Sequence, residues 1–176
     1  MPAADDLGMT TAPKHDLPTA PCDDAAVADV TTLLPSRDAL LERLGERLTV
    51  TVRTSATLVI IGLLRRDEGW PTAQSTLAAV TGLLARSLRG DDYLAKSGPG
   101  EFAVLMSGPA DAAEPAATRL SAAISDLGIE GLTAAAGIAQ LAPELSAEEV
   151  LRRGLVSLTA ARRAGAGTVI RYREPY

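Results

Sequence analysis

Two apolar stretches meet across a tight turn at residues 92–107, and this pairing constrains the fold more than any other feature of the chain. Asp92-Tyr93-Leu94-Ala95-Lys96 leads into Gly98-Pro99-Gly100, and Ala103-Val104-Leu105-Met106 leads away from it. Apolar strand, Pro-Gly turn and apolar strand make a β-hairpin. Proline presets φ and glycine supplies positive φ, so Pro99 and Gly100 suit the centre of a type II turn.

Around the hairpin, strand and helix patterns alternate. Ser36 is the expected N-cap of a helix whose apolar stripe is Leu40, Leu41, Leu44 and Leu48. Ala56 to Leu64 reads as a buried strand. Thr72 to Leu88 is an amphipathic helix with Gly90 as its expected cap, and Arg89 falls in its last turn. After the hairpin come a helix over Asp111–Leu127, closed by Gly128, and a small-residue strand over Leu132–Leu141. A helix over Ser146–Ala164 and a strand over Thr168–Tyr172 complete the series. Beyond the leading helix the order is β-α-β-β-α-β plus one helix and strand. This is an α+β (α/β sandwich) plan with a ferredoxin-like βαββαβ core, whose two helices are expected on one face, and an antiparallel-rich central sheet flanked by helices. No internal repeat is visible.

Residues 1–25, rich in Pro, Ala, Asp and Thr without periodicity, read as a flexible tail, and 26–176 as one domain. Aromatics are only 3% of the chain, so the core must be built from Ala, Leu, Val and Ile, with few platforms for stacking bases. A net charge of −5 argues against nonspecific binding to a nucleic-acid backbone. The lone Cys22 excludes an intramolecular disulfide framework, and the lone His15, in the tail, a histidine-based metal site or triad. The N-terminus lacks the pattern of a signal peptide, and the run Leu58–Leu64 is too short to span a bilayer. A soluble, cytoplasmic protein with neither membrane nor nucleic-acid partner is the expectation.

Several separated segments resemble, in order, the GGDEF domain of bacterial diguanylate cyclases. Asp29-Val30-Thr31-Thr32-Leu33-Leu34-Pro35-Ser36-Arg37 keeps five of nine positions of the family's Asp-x-Leu-Thr-Gly-Leu-Pro-Asn-Arg motif. Arg89-Gly90-Asp91-Asp92 matches an Arg-x-x-Asp element five residues before the signature hairpin. Gly98-Pro99-Gly100-Glu101-Phe102 stands at Gly-Gly-Asp-Glu-Phe, and Ala136-Gly137-Ile138-Ala139 is similar to a Ser-Ile-Gly-Ile-Ala strand. Arg162-Arg163-Ala164-Gly165 stands at a Lys-x-x-Gly segment. The resemblance covers roughly residues 29–172.

The resemblance implies an enzyme that joins two GTP molecules across a dimer, each 3′-hydroxyl attacking the other's α-phosphate with metal ions neutralising the charge. This chain departs from it at each part. The family's first strand ends in Asp-x-Asp-x-Phe-Lys, its leading Asp a metal ligand; here stands Gly62-Leu63-Leu64-Arg65-Arg66. The acid at the hairpin's third position is Gly100, leaving Glu101 alone, either a turn-flanking surface residue or the partner of a nearby base. Magnesium needs oxygen ligands, usually carboxylates, so no metal site and no cofactor are expected. Pro99 removes a main-chain N–H from the phosphate-approaching turn. The connection from Arg65 to Gln74 is about five residues shorter than the family's and lacks its guanine-reading Asn and Asp. A catalytically inactive member is the expectation.

What survives is Arg89 and Asp92, which in the family form a product-inhibition site for cyclic di-GMP; Arg119, on the next helix, stands near a second family arginine. A guanidinium holds a phosphate or guanine edge bidentately, and a carboxylate accepts from guanine's N1 and N2 donors. The same residues suit a structural role: Arg89 complementing a helix dipole, Asp92 a turn, Arg119 a solvated helix face. Arg162 is read as a basic helix end. Trp70 either plugs the cleft or anchors a partner. Two functions stand: a cyclic di-GMP receptor signalling to a protein partner, with a homodimer possible, and a nucleotide-independent interaction scaffold.

Overall fold

The computed structural model describes residues 33–66 and 72–174. The readings of the 1–25 tail, of His15 and Cys22, of Asp29–Thr32 and of Trp70 lie outside those residues.

Five strands form one sheet in the order β2-β3-β1-β4-β5. The elements run α1 (Arg37–Leu48), β1 (Ala56–Arg65), α2 (Gln74–Ser87), β2 (Tyr93–Gly98), β3 (Glu101–Ser107), α3 (Ala110–Ser125), β4 (Leu132–Gln140), α4 (Ala147–Ala164) and β5 (Val169–Arg171). β1 is the central strand, antiparallel to β3 on one side and to β4 on the other. β5 joins β4 in parallel. Residues Ala56 to Leu63 of β1 are all buried, which explains an apolar run without polar alternation. Each fully buried Val, Leu or Ile contributes roughly 1.5–3 kcal/mol, so β1 is the strand the core is built on.

Period-2 alternation divides the core in two. Val59, Ile61 and Leu63 face α2 and α3 with Val80, Leu84, Leu120 and Ile124. Leu58 and Ile60 face α1 and α4 with Leu40, Leu44, Leu151 and Leu158. The two helices of the βαββαβ core, α2 and α3, share one face of the sheet, as the ferredoxin-like plan expects, and the leading and last helices, α1 and α4, cover the other.

Local chemistry explains most boundaries. Ser36 caps α1 through a 3.2 Å bond from Ala39 N to its Oγ, as its sequence position predicts. Ser146 caps α4 in the same way, accepting from Glu149 N at 3.2 Å. α2 ends at Ser87 with the extended Leu88 as its C-cap, so Gly90 is not the cap and Arg89 lies in the connection to β2, outside the helix.

α4 approaches the sheet closely because two glycines let it. A Cβ at Gly137 of β4 would overlap the backbone of Gly154 and Leu158, and one at Gly154 would press on Ile60. Helix and strand therefore meet backbone to backbone, which fixes the position of α4's last turns.

Candidate functional site

The end of β1, the start of β3 and the last turn of α4 converge on one cluster. Gly62 and Glu101 are register partners, and both point to the face that α4 covers. Arg162 reaches down from α4 and donates from Nη1 to Glu101 Oε1 at 2.7 Å. Both side chains are largely withdrawn from solvent, at 29% and 17% exposed. The guanidinium lies directly over Gly62: a Cβ there would stand 2.5 Å from Nη2 and 2.8 Å from Cζ. The other oxygen, Glu101 Oε2, crowds Gly98 in the same manner, at 2.9 Å from where its Cβ would be. The cluster is a cation and a carboxylate seated on two bare glycines.

This assembly resolves the alternatives left open for Glu101: it is the partner of a base. Arg162 does sit in α4's last turn, yet its role is tertiary rather than that of a helix-end charge. Arg163, its neighbour, points away and is exposed. The pairing spans 61 residues, so only strand register and face parity bring it together. The sequence carried the signals separately, as a glycine at a strand end, an isolated acid in the hairpin and a basic pair closing a helix.

The hairpin turn is built as the sequence predicts. Pro99 and Gly100 link β2 and β3, and Gly100 has φ +63°, the left-handed value its turn position requires. Its carbonyl accepts from Leu63 N at 2.9 Å, tying the turn to the end of β1. The register slips between Lys96 and Gly98, leaving Ser97 as an extra, buried residue. Beside the hairpin a cavity of about 350 Å³ opens between Ser36, Leu77, Lys96, Pro99 and Phe102.

Arg89 and Asp92 lie in the α2–β2 connection, and Arg119 on α3, which covers the opposite face. Asp92 closes the α2–β2 turn, accepting from Arg89 N at 2.9 Å through Oδ2 while its own N–H donates to Arg89 O at 3.1 Å. The carboxylate and the arginine backbone are thus locked together, with the Arg89 side chain exposed. Arg119 is exposed on α3. No hydrogen bond or ion pair to another described residue engages either guanidinium.

A five-stranded sheet with helices on both faces, carrying a tight hairpin at its β2–β3 edge, is the nucleotidyl-cyclase-like class of fold. The family model described as "Diguanylate cyclase, GGDEF domain" matches residues 26–168. The chain belongs to that family. It is 30% identical over 154 residues to diguanylate cyclase DgcP of Pseudomonas aeruginosa, covering 80% of this chain and 23% of that protein. The chain thus spans about a quarter of that relative's length. Among solved structures it is similar to the GGDEF domain of FimX from P. aeruginosa, at 25% identity and TM-score 0.66 over 80% of this chain and 95% of that one. It is also similar in fold to the GGDEF domain of DgcB from Caulobacter crescentus in complex with c-di-GMP, at 19% identity and TM-score 0.69, covering 80% and 92%.

The family's chemistry calls for a divalent cation at the end of β1, and the side chains present do not fit one. Gly62 offers no ligand atom, Glu101 is already bonded to a cation, and the Arg162 guanidinium stands beside them. Among the described residues no three carboxylate, histidine or cysteine side chains gather closely enough to hold a metal ion. Nor, among those residues, is any helix long and apolar enough to cross a membrane.

Proposed function

We propose that this GGDEF domain binds cyclic di-GMP without making it, and passes that signal to a protein partner. The observation that carries the reading is the Arg162–Glu101 pair lying over Gly62. A fixed positive charge stands where a metal ion would have to gather carboxylates, and a guanidinium presents no site for ligand exchange and polarises no bound oxygen as a Lewis acid does. The receptor role rests on Arg89, Asp92 and Arg119. Two exposed guanidiniums and one carboxylate, the latter held rigid by the Arg89 N–H, are a suitable set for phosphate oxygens and a guanine edge.

A nucleotide-independent interaction scaffold is the second reading, and one observation favours it: Asp92 already has a structural task in its turn. Calorimetric titration with cyclic di-GMP separates the two. A receptor gives a saturable isotherm that Arg89→Ala abolishes without lowering the melting temperature. A scaffold gives no heat with either protein.

A further inference from the structure

The two edges of the sheet are finished differently. At the β2 edge the segment before α1 lies alongside the strand, and Pro35 O accepts from Lys96 N at 2.9 Å. At the β5 edge no described strand lies outside. β5 is held to β4 through its even-numbered residues: Thr168 O accepts from Ala136 N at 2.9 Å, and Tyr172 N donates to Ile138 O at 2.8 Å. Main-chain groups alternate in direction along a strand, so the N–H and C=O of Val169 and Arg171 point off the open edge.

The surroundings of this edge form a groove of about 620 Å³ between α3 and α4. Val156 of α4, 47% exposed, and Val169 give it apolar surface. Asp111 on α3 is held by Arg171, whereas the side chains of Glu114 on α3 and of Arg173 have no hydrogen bond or ion pair to another described residue.

We propose that the β5 edge is a docking site for an extended segment of a partner protein, which adds to the sheet as a sixth strand. The unpaired main-chain donors and acceptors of Val169 and Arg171 specify a polypeptide backbone. Val156 specifies an apolar side chain, Arg173 an acidic one and Glu114 a basic one. A second copy of this chain fits worse, because antiparallel pairing of two β5 strands sets Arg171 and Arg173 of one copy alongside the same basic strand of the other. The proposal deepens the partner half of the proposed function and rests on that half alone; its test uses no nucleotide, so either can fail without the other.

The test is a phage-displayed library of seven-residue peptides, apolar at the centre with an acidic residue on one side and a basic one on the other, selected on the full chain. Arg171→Pro removes one outward N–H and leaves the bonds to β4 in place, since proline is tolerated on an edge when its N–H faces out. Arg171→Ala is the control that loses only the side chain. Selected peptides are expected to bind the unaltered chain and Arg171→Ala, which like Arg171→Pro frees Asp111 from its ion pair. Arg171→Pro should bind roughly ten-fold more weakly than Arg171→Ala, the loss set by one main-chain hydrogen bond. Should Arg171→Pro fold poorly, a selected peptide N-methylated at alternate amides, tested on the unaltered chain, makes the same distinction. Equal binding by the proline variant or the N-methylated peptide overturns the proposal, as does a library that enriches nothing. A dimer of the unaltered chain that Arg171→Pro abolishes overturns it too, assigning the edge to a second copy.

Discussion

Arg162 and Gly62 are matched in size: the guanidinium lies where a side chain on Gly62 would have to go, 2.5 Å from the position of its Cβ. Neither residue explains the other alone. Glycine leaves a vacancy at the end of β1, and arginine fills it while meeting Glu101 at 2.7 Å.

The pair makes a first prediction about stability. A charge-assisted hydrogen bond in a partly buried site is worth more than a surface pair, and its residual exposure discounts it. Arg162→Met keeps the packing of the stem and strands the Glu101 carboxylate, which should cost roughly 1–2 kcal/mol. A double-mutant cycle with Glu101→Gln should return most of that as coupling, measured by urea unfolding. Additive effects would mean that the two side chains act independently.

Asp92 allows structure and binding to be separated. Asp92→Asn keeps an oxygen able to accept from Arg89 N, so the turn and the melting temperature should be unchanged. The charge that meets guanine donors is lost, and cyclic di-GMP affinity should fall roughly ten-fold or more, as expected for a charge-assisted bond. Unchanged affinity, measured by calorimetry, would assign Asp92 to the turn alone.

Gly137 carries a packing prediction. Any Cβ there meets backbone atoms of α4, which cannot swing aside as a side chain can. Gly137→Ala should destabilise the domain by roughly 1–3 kcal/mol or more through overpacking. It should also loosen the Arg162–Glu101 pair, because α4 sets the height of Arg162 over β1. Gly62→Ala, whose nearest contacts are all on the Arg162 guanidinium, a movable side chain, should cost less; the reverse order would contradict this seating of α4.

Glu149 gives a pH dependence. Hydrogen bonds from Arg152 and Arg153 lower its pKa from the ordinary 4.5 to about 2. Its folded value lies below its unfolded one, so its stabilising contribution is complete above about pH 4.5 and is lost as pH falls towards 2. The melting temperature should fall through that window, and Glu149→Gln should remove part of the fall. An identical pH profile in the variant would show that Glu149 does not govern it.

The strand and helix order could be read from the sequence because periodicity, caps and the Pro-Gly turn all act locally. The flanking of the sheet by helices followed from that order, but which face α1 and α4 cover depends on crossover geometry, which no window of sequence contains. Arg89 lies one structural boundary beyond its expected place: Leu88 leaves the helix before Gly90, so the dipole argument for Arg89 does not apply. Glu101 and Arg162 were both visible as oddities, but joining them required knowing that Gly62 and Glu101 are register partners on the face α4 covers.

Product formation distinguishes a guanidinium at the end of β1 from a metal ion there. The chain is incubated at high concentration with GTP and magnesium, and cyclic di-GMP is quantified by mass spectrometry, beside the variant carrying both Gly62→Asp and Gly100→Asp. None is expected from either protein, because a carboxylate introduced at Gly62 would be captured by Arg162, as Glu101 already is. Magnesium-dependent product from the unaltered chain would contradict the account outright. Product from the double variant alone would show that the cleft remains competent and lacks only its acids.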